Sequence, residues 1–402
     1  MKPIGILGGG QLARMLVLEA HRRGLPVAVL SPLATDPAAT VTSNWVAGSP
    51  DREDDLVAFL KRCSVVTFES EFFLASLLEK ASKATGTPVW PKPETMDLLR
   101  DRLTQKRSFD AYKLPTACWR DVATPDEAVA AWEELGRNAK RGSASAKAGL
   151  VLKARTGGYD GYGTTIVRSE AELSQFLSEK LGKPGNPGYI AEAIIPFRRE
   201  LALIMTRDQN GKIIEFPFVE SRQKDSRCLW TLGPQKPNAK MTAMQKRLRL
   251  FLKGLDYVGS MGIEFFDTGK ELLINEIAPR VHNTGHYTLS AMHFNQFAAH
   301  LFAVSGRSLK KPETVYGAFA MWNLLGSNSA RAELSPWNAG QSGITKSGFT
   351  SEISWYGKHE SRPGRKLGHV NVSGFAKGPA GMKACLELAK RIAAKSEKEI
   401  GY

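Results

Sequence analysis

Short apolar runs alternate with helical spacing along the first 93 residues. The stretch 3–32 contains an apolar run of strand length, a glycine turn, an amphipathic helical pattern and a second apolar run. Further runs of strand length follow at 64–70 and 87–91. Because strands that alternate with helices form parallel sheets with right-handed crossovers, residues 1–93 are predicted to form a parallel α/β domain.

The pattern changes after residue 93. Residues 94–114 keep helical spacing throughout and are predicted to form one long helix. A helix is also predicted at 290–306, and three strand patterns after Lys311 precede an amphipathic C-terminal helix. Antiparallel strands and hairpins with Asp, Asn or Gly turns are predicted in four stretches, 149–169, 188–196, 199–220 and 260–277. This part of the chain is predicted to be of the α+β type.

The passage Leu272–Thr288, LLINEIAPRVHNTGHYT, combines a buried-strand pattern with reactive side chains. Its apolar run is accompanied by six polar residues, Asn275, Glu276, Arg280, His282, Asn283 and His286. A strand that only built a core would not carry this concentration of charge, so we expect a functional site at its end. A carboxylate for metal-bound ATP, beside a basic turn that holds a small oxyanion, is typical of a ligase.

Two acids lie on the two arms of one predicted hairpin, EFFDTGKELLINE. With a three-residue turn at 268–270, Glu264 pairs with Ile274, and Glu276 lies two places further along the same face. A four-residue loop would place the two carboxylates on opposite faces, because a one-residue slip inverts every side chain. On the first register, both carboxylates and the Asn275 amide can share magnesium bound to the phosphates of ATP.

The first glycine turn follows the opening strand. Gly8, Gly10 and Ala13 fit a G-x-G-x-x-A spacing, which lets backbone amides and a helix N-terminus contact a phosphate. A dinucleotide site also needs an acid at the end of the second strand, where Ser31 stands instead. NAD binding is therefore disfavoured, whereas contact of Gln11 with a phosphate or ribose and a purely structural turn both stay open.

The second glycine turn, RTGGYDGYG, follows a strand that carries Lys153. A flexible glycine loop can fold over a triphosphate while a strand lysine reaches its oxygens. No G-K-[ST] sequence follows, so this is not a Walker A loop. With Arg155 beside it, nucleotide binding is favoured over a structural hairpin. Tyr159 and Asp160 at the centre of the loop are assigned to a second substrate.

Composition restricts the class of protein. The 402 residues suffice for two or three domains, and 42% hydrophobic with 24% charged residues is typical of a globular protein. No apolar run reaches the roughly 20 residues that span a bilayer, and the opening residues do not resemble a secretory signal. Cys63, Cys118, Cys228 and Cys385 are far apart, which favours reduced thiols in an intracellular protein over a zinc site or disulfides.

The net charge of +15 points to anionic ligands. The basic residues form no single stripe, because part of the charge lies in 136–149, a predicted mobile loop, and part in the last helix. We therefore expect anionic metabolites such as ATP or a sugar phosphate rather than nucleic acid.

Three further features are not interpreted as metal or cofactor sites. His282 and His286 are four apart, but a proline and a glycine nearby oppose a helical zinc site. His293 and His300 recur at seven on one predicted helical face. The segment GMKAC at 381–385 lacks the second methionine of a biotin carrier, so no biotin is expected.

The order of these motifs resembles the ATP-grasp superfamily. The elements in that order are Lys153, the GGYDGYG loop, Glu192, Glu200, Glu264 and the pair Asn275 and Glu276. More narrowly, GGGQLARM, DRLTQKRSFDAYKLPTA, RTGGYDGYG, INEIAPRVHNTGH and RPGRKLGH resemble the N5-carboxyaminoimidazole ribonucleotide synthetases. This resemblance extends from about Ile4 to Asn371, nearly the whole chain.

The resemblance implies an ATP-grasp fold that mixes α/β and α+β architecture. An N-terminal Rossmann-like domain with a parallel sheet would occupy residues 1–93. A central ATP-grasp domain would occupy 94–310, with its lid at about 115–190. A small, mostly β C-terminal domain would occupy 311–402.

The resemblance also implies which residues bind each substrate. ATP would contact Arg102, Lys153, Gly157, Gly158, Tyr159, Asp160, Gly161, Tyr162, Gly163, Glu192, Ala193, Ile194, Ile195, Glu200, Gln223, Asn275 and Glu276. Within that set, the segment 192–195 would hold the adenine edge and Glu200 the ribose. Magnesium, or manganese in its place, would be held by Glu264 and Glu276. The aminoimidazole ribonucleotide would contact Gln11, Leu12, Glu69, Tyr159, Asp160, Lys358, Arg365 and Lys366, the last two through its 5′-phosphate.

The activity implied is ATP-dependent carboxylation of 5-aminoimidazole ribonucleotide with bicarbonate, a step of purine biosynthesis. Arg280, His282 and Asn283 would surround bicarbonate and the carboxyphosphate formed from it, with Lys153 on the transferring phosphoryl group. The resemblance further implies a cytoplasmic homodimer whose other partners are small molecules, with no membrane contact.

Three residues depart from the family pattern, Phe72, Tyr162 and Gln223, and they put nucleotide affinity in question. Two alternatives stay open. One is another ATP-grasp ligase such as formate-dependent phosphoribosylglycinamide transformylase, in which a serine-rich loop and an aspartate at Asn283 are expected. The other is a non-catalytic nucleotide- or RNA-binding descendant, which the net charge would suit.

Overall fold

The computed structural model describes residues 1–136, 149–158, 162–326, 342–344 and 348–399. These residues form three sheets with helices packed against them. The loop predicted at 136–149 lies outside the described residues except for its two ends, so its mobility stays a prediction. Within the described ranges, no helix has the length and apolar character needed to cross a membrane.

The N-terminal residues form the parallel α/β domain that the alternating pattern predicts. Its elements are β1 (Ile4–Leu7), α1 (Gln11–Arg22), β2 (Val27–Ser31), β3 (Trp45–Ala47), α2 (Glu53–Arg62), β4 (Val65–Phe68) and α3 (Ala75–Thr85). The strand order is β3-β2-β1-β4, and every neighbouring pair is parallel. The strand predicted at 87–91 is reduced to one bridge between Val66 and Val89, because Pro88 and Pro91 have no amide to donate.

The single helix predicted over 94–114 is two helices, α4 (Pro93–Arg100) and α5 (Arg102–Ala111). Between them Asp101 is extended, with φ −82° and ψ 120°. Its carboxylate accepts a hydrogen bond from the Leu103 amide at 2.8 Å. The prediction of one helix is therefore wrong, because Asp101 caps α5 and starts a new helix.

The region predicted as a lid contains a four-stranded antiparallel sheet. Its elements are β5 (Trp119–Val122), α6 (Pro125–Ala131), β6 (Leu150–Ala154), β7 (Thr164–Val167), α7 (Glu170–Phe176) and β8 (Tyr189–Ala193). The order is β5-β8-β6-β7, which confirms the predicted strand, loop and strand at 149–169. Leu150 and Leu152 are buried in a core of this sheet, so Lys153 projects from the opposite face.

One large antiparallel sheet joins the central and C-terminal parts. The central elements are β9 (Arg199–Arg207), β10 (Ile213–Glu215), β11 (Val219–Lys224), β12 (Arg227–Gly233), α8 (Ala239–Gly254), β13 (Gly259–Asp267), β14 (Leu272–Ala278), α9 (Thr288–Ala291) and α10 (Gln296–Val304). The C-terminal elements are β15 (Ala318–Leu325), β16 (Ser342–Ile344), β17 (Phe349–Trp355), β18 (Lys366–Gly374) and α11 (Gly378–Glu399). The strand order is β14-β13-β9-β11-β12-β15-β18-β17-β16, with β10 paired to β9.

The helix predicted at 290–306 starts later than predicted. Asn295 accepts a hydrogen bond from the Ala298 amide at 2.9 Å and so caps α10, which leaves α9 as a separate turn. Four short turns complete the described helical elements: the 3-10 turns Ala39–Val41 and Asn283–Gly285, and the π turns Trp132–Gly136 and Leu177–Leu181.

The two faces of β13 serve different purposes. Met261, Ile263 and Phe265 belong to a core with α8, so Glu264 projects from the other face. His300 of α10 fastens this domain to the N-terminal sheet. Its Nε2 lies 2.7 Å from Thr67 Oγ1, and its Nδ1 accepts from the Ser260 amide at 3.0 Å. His300 is therefore structural, as predicted, but His293 lies in the bend before α10, so the prediction that the two share one helical face is wrong. Burial lowers the pKa of His300 to about 4.

Candidate functional site

Two cavities open beside the large sheet. The first, here the lid cavity, has a volume of about 420 Å³ and lies between the lid and the β13–β14 hairpin. The second, here the N-terminal cavity, has a volume of about 690 Å³ and lies between the N-terminal domain and the segment 358–366. Four residues line both cavities, Glu276, His282, Asn283 and Lys366. This shared wall places the two cavities side by side.

The carboxylates of Glu264 and Glu276 meet by a route that the sequence does not predict. Asp267 pairs with Leu272, so of the two turns considered the hairpin has the four-residue loop, and the three-residue turn on which the shared face depended is not formed. That loop alone would separate the two acids. Asn275, however, is an extra residue of β14 between Ile274, which pairs with Phe265, and Glu276, which pairs with Glu264. This β-bulge restores the common face.

The carboxylate pair suits a hard cation. The Glu264 and Glu276 side chains are 19% and 44% exposed at the lid cavity. The Arg102 guanidinium is 3.8 Å from Glu276, and His282 Nε2 is 4.0 Å from Glu264. Among the described residues, no group of three His, Cys, Asp or Glu side chains could hold a metal. The two carboxylates could hold Mg²⁺ only with further oxygens from a ligand, and phosphates supply such oxygens.

Lys153 reaches the lid cavity as part of a buried charge network. Its Nζ lies 2.7 Å from Glu192 Oε2 and donates to Asn275 Oδ1 at 3.1 Å. The other Glu192 oxygen is 2.6 Å from Lys106 Nζ. Burial opposes ionisation of Glu192, but the two lysines outweigh it and lower its pKa to about 2. Lys106 is a supporting residue that the sequence analysis missed.

Arg102 lines the lid cavity, whereas Gly158 and Tyr162 of the glycine loop, predicted to bind ATP, line the N-terminal cavity. Arg102 Nη1 donates to the Ala154 carbonyl at 2.8 Å, which holds the guanidinium beside Gly158. A Cβ atom at Gly158 would stand 2.6 Å from Arg102 Nη1, so a side chain there would displace it. Gly157 and Gly163 have φ of +73° and +77°, which favours glycine. Three predicted site residues of this loop lie outside the described residues, Tyr159, Asp160 and Gly161.

Arg155 does not face either cavity. Its guanidinium contacts the Asp101 carboxylate at 2.5 Å, and this hydrogen bond raises the pKa of Arg155 despite partial burial. Arg155 therefore connects the lid to Asp101, the N-cap of α5. Lys153, and not Arg155, lines the lid cavity, where a nucleotide could contact it.

The far end of the lid cavity is more apolar. The predicted residues Ala193, Ile194, Ile195, Glu200 and Gln223 all line it. The rings of Phe197 and Phe266 stack there with centroids 4.6 Å apart. Burial raises the pKa of Glu200, although the Gln223 amide donates to its carboxylate at 3.2 Å. Such a wall of aromatic and aliphatic groups beside one carboxylate is suited to a nucleoside.

The first glycine turn binds a carboxylate of the chain itself. Glu69 accepts hydrogen bonds from the amides of Gly10 and Ala13, the latter at 3.0 Å. Gly8 has φ of +99°, and a Cβ there or at Gly10 would stand within 2.8 Å of Glu69. Both amides are therefore engaged by Glu69. Of the two interpretations left open for this turn, the structure favours a structural role for its backbone, whereas Gln11 and Leu12 line the N-terminal cavity.

A basic wall closes the N-terminal cavity. Lys358 Nζ donates to Gln11 Oε1 at 2.6 Å and to the Lys366 carbonyl at 2.7 Å. Arg365 and Lys366 line the same cavity, as the sequence analysis expects. Two further arginines that it did not assign, Arg227 and Arg362, also line it. The RPGRK segment, residues 362–366, thus places Arg362, Arg365 and Lys366 on one wall of this cavity.

The turn after β14 lies at the junction of the cavities. Arg280 lines the N-terminal cavity and is paired with Glu71, a second residue that the sequence analysis missed. Burial, with the charges of Arg280 and Lys366, lowers the pKa of His282 well below its usual value, so the imidazole is neutral. The Asn283 amide exchanges hydrogen bonds with Asn323 at 3.0 and 2.7 Å, which fixes its orientation.

Three segments of the chain match known domain families. Residues 1–100 match the ribonucleotide synthetase preATP-grasp domain, and residues 107–297 match the ATP-grasp domain. Residues 320–378 match the phosphoribosylaminoimidazole carboxylase C-terminal domain.

Curated relatives match over most of their length. The N5-carboxyaminoimidazole ribonucleotide synthase of Synechococcus elongatus is 35% identical over 373 residues, which are 92% of this chain and 89% of the relative. The enzyme of the same name from Saccharolobus solfataricus is 33% identical over 371 residues, with 92% and 91% covered.

Solved structures show the same architecture. The carboxyaminoimidazole ribonucleotide synthase of Aspergillus clavatus complexed with ATP superposes with a TM-score of 0.82 at 27% identity, covering 98% of this chain and 99% of that one. Its complex with ADP and 5-aminoimidazole ribonucleotide gives a TM-score of 0.80 at 26% identity, with the same coverage. The Thermus thermophilus synthetase gives 0.79 at 30% identity, covering 99% of each chain. The predicted ATP-grasp fold, with its N-terminal parallel sheet and C-terminal domain, is confirmed.

Proposed function

The chain belongs to the N5-carboxyaminoimidazole ribonucleotide synthase family of ATP-grasp ligases, and we propose that its two cavities divide the substrates between them. ATP occupies the lid cavity, and 5-aminoimidazole ribonucleotide occupies the N-terminal cavity. Phosphoryl transfer and carboxylation take place at the shared wall. The observation that carries this division is that Glu276, His282, Asn283 and Lys366 line both cavities. The transformylase and non-catalytic alternatives receive no such support from the relatives.

The lid cavity fits ATP from its apolar end to its charged end. The segment 193–195 and the Phe197–Phe266 stack take the adenine, and Glu200 takes ribose hydroxyls. Arg102 and Lys153 contact the phosphates. Because Glu192 and Asn275 hold the Lys153 ammonium from two sides, its position is set before the nucleotide binds.

Glu264 and Glu276 would hold Mg²⁺, or Mn²⁺ in its place, when the nucleotide is bound. When bound, the metal supplies positive charge that offsets the charge on the transferring phosphoryl group. Asn275 stays on Lys153 rather than on the metal, because its Oδ1 already accepts from that ammonium.

The ribonucleotide is held by its charged and polar ends in the N-terminal cavity. Arg365 and Lys366 take the 5′-phosphate, for which a guanidinium and an ammonium are well suited. Gln11, Glu69 and Lys358 contact the sugar and the aminoimidazole. Tyr159 and Asp160 are proposed to join them from the glycine loop.

Arg280, His282 and Asn283 hold bicarbonate at the shared wall. A bicarbonate oxygen attacks the γ-phosphorus of ATP, and the bond from that phosphorus to ADP breaks, which gives carboxyphosphate. Carboxyphosphate then releases phosphate and CO₂, and the exocyclic amine attacks CO₂ and loses a proton to give the carbamate. Exclusion of water from the two cavities by the bound substrates would protect the intermediate. The phosphate released from carboxyphosphate takes the proton of the amine, because a histidine whose pKa is lowered well below its usual value is a weak base.

A coupled assay of ADP release tests this function. ADP should appear only when both bicarbonate and 5-aminoimidazole ribonucleotide are present. ADP release that does not depend on the ribonucleotide would contradict the assignment of the N-terminal cavity. The homodimer, the cytoplasmic location and the domain limits at 93 and 310 stay predictions, which sedimentation, cell fractionation and limited proteolysis would test.

A further inference from the structure

Arg280 is held by Glu71, a residue to which the proposed function gives no role. Glu71 follows β4 in the N-terminal domain, whereas Arg280 follows β14 in the central domain. Arg280 Nε donates to Glu71 Oε2 at 2.5 Å, and Nη2 donates to Oε1 at 3.1 Å. The two side chains are only 17% and 13% exposed, so solvent screens this pair much less than a surface ion pair.

The pair leaves one edge of the guanidinium for a ligand. Arginine has five N–H donors in a planar fork. Glu71 takes the Nε and Nη2 edge, and the Val281 carbonyl accepts from Nη1 at 3.3 Å. In the contacts of the described residues, one N–H of Nη1 and one of Nη2 remain. The end edge between Nη1 and Nη2 lies outside the edge that Glu71 takes, and such an edge matches two oxygens of an oxyanion.

Other carboxylates compete for this guanidinium. Glu276 and Glu69 both attract Arg280 electrostatically, and Glu276 belongs to the proposed metal pair. An arginine that turned toward Glu276 would remove charge from the metal site and would lose its alignment with bicarbonate. The two hydrogen bonds from Arg280 to Glu71 oppose this rotation.

We propose that Glu71 is a positioning residue that orients Arg280 so that its end edge binds the oxyanion at the shared wall. This role rests on the proposed function and deepens it. The support extends into the N-terminal domain, because Glu69, two residues earlier, is fastened to the Ala13 amide at 3.0 Å and so fixes the backbone from which Glu71 projects. The position of Glu69, which is proposed to contact the ribonucleotide, is therefore linked to the position of Arg280, which is proposed to bind the oxyanion.

The Glu71→Gln variant tests the proposal. Glutamine has nearly the same shape, but its NH₂ group faces a guanidinium N–H, so the two-pronged contact becomes a single hydrogen bond. We expect kcat/KM for bicarbonate to fall roughly 10- to 100-fold, the range for a misplaced catalytic group. KM for ATP should stay close to that of the wild type, so the kinetic loss is selective for bicarbonate even where removal of the charge lowers the thermal midpoint. Glu215→Gln is the matched control, because Glu215 contacts Arg249 at the same 2.5 Å and lines neither cavity.

A double-mutant cycle with Arg280→Lys separates positioning from stability. Lysine cannot form the fork, so adding Glu71→Gln to Arg280→Lys should change kcat/KM for bicarbonate by less than about twofold. Three results would overturn the proposal. They are full additivity of the two substitutions, an unchanged kcat/KM for bicarbonate in Glu71→Gln, and an equal loss of kcat/KM for all three substrates with a lowered thermal midpoint. A wild-type chain without bicarbonate-dependent ADP release would instead remove the proposed function, and this role with it.

Discussion

Glu264 and Glu276 stand opposite each other across β13 and β14 because Asn275 is an extra residue between them and the hairpin turn. The four-residue loop alone would put the two acids on opposite faces of the sheet. The bulge reverses that effect, and it also directs the Asn275 amide to Lys153 at 3.1 Å. One irregularity of the ladder thus places a metal-binding pair and orients a phosphate-binding lysine.

Removal of either charge from this pair should stop phosphoryl transfer. In Glu264→Gln and in Glu276→Gln, kcat for ADP release should fall by about 10² to 10³, because charge compensation in a site closed to water is lost. Glu271→Gln is the control, since Glu271 is exposed at the turn of the same hairpin. Steady-state kinetics at saturating Mg²⁺ would measure the effect, and wild-type kcat in Glu276→Gln would refute the metal assignment.

Loss of Lys106 should destabilise the chain. In Lys106→Met, the buried Glu192 carboxylate keeps Lys153 but loses the ammonium at 2.6 Å. The free energy of unfolding should fall by about 3 kcal/mol, as for the loss of one partner from a buried pair. Denaturant titration would measure it.

Lys83→Met is the control for that experiment. The Lys83–Glu79 pair lies on the surface of α3, where water screens the two charges. Its loss should leave the unfolding midpoint unchanged. An equal change in the free energy of unfolding in Lys106→Met and Lys83→Met would show that the buried pair contributes no more stability than a surface pair.

Local sequence patterns failed to predict those elements in which tertiary contacts override them. Alternation in 149–169 and 260–277 correctly predicted strands, because one face of each is buried. The length of the β13–β14 turn could not be decided from the sequence, since the four-residue loop occurs together with a β-bulge that no residue type indicates. The break at Asp101 did have a signal, because an aspartate before a helical run is a preferred cap.

The site was predicted unevenly for the same reason. Motif residues such as Lys153 and Glu276 could be proposed because each is part of a recognisable run, and the structure brings both to the lid cavity. Lys106 and Glu71 were missed because their partners, Glu192 and Arg280, are distant in sequence. The sequence contains one signal for Glu71. It lies two places after Glu69, a predicted site residue, and alternate residues of an extended segment share a face.

Acid should destabilise the fold through His300. Its pKa is about 4 in the folded chain against an ordinary value of 6.5, so the unfolded chain binds the extra proton first. Stability from this residue is therefore present above about pH 6.5 and is lost as the pH falls toward 4, by up to about 3 kcal/mol below that pH. A protonated ring would also place an N–H against the donating Ser260 amide.

A His300→Gln variant should show this dependence. Its thermal midpoint should vary less with pH between 6.5 and 4 than that of the wild type. His21→Gln, at an exposed position of α1, is the matched control and should follow the wild-type curve. Parallel curves for the wild type and His300→Gln would contradict the assignment.

Gly158→Ala should weaken ATP binding without loss of the fold. The new Cβ would stand 2.6 Å from Arg102 Nη1, so the guanidinium must leave its place at the Ala154 carbonyl. We expect KM for ATP to rise about tenfold, the equivalent of one charge-assisted hydrogen bond. KM for the ribonucleotide should change little. An unchanged KM for ATP would show that Arg102 does not contact the nucleotide.

A crystal structure with a non-hydrolysable ATP analogue, Mg²⁺ and 5-aminoimidazole ribonucleotide tests the division of the two cavities most directly. The nucleotide should lie in the lid cavity and the ribonucleotide in the N-terminal cavity. The γ-phosphate and the exocyclic amine should approach each other at Glu276, His282, Asn283 and Lys366. A nucleotide bound in the N-terminal cavity, or a ribonucleotide whose amine points away from the shared wall, would contradict the account.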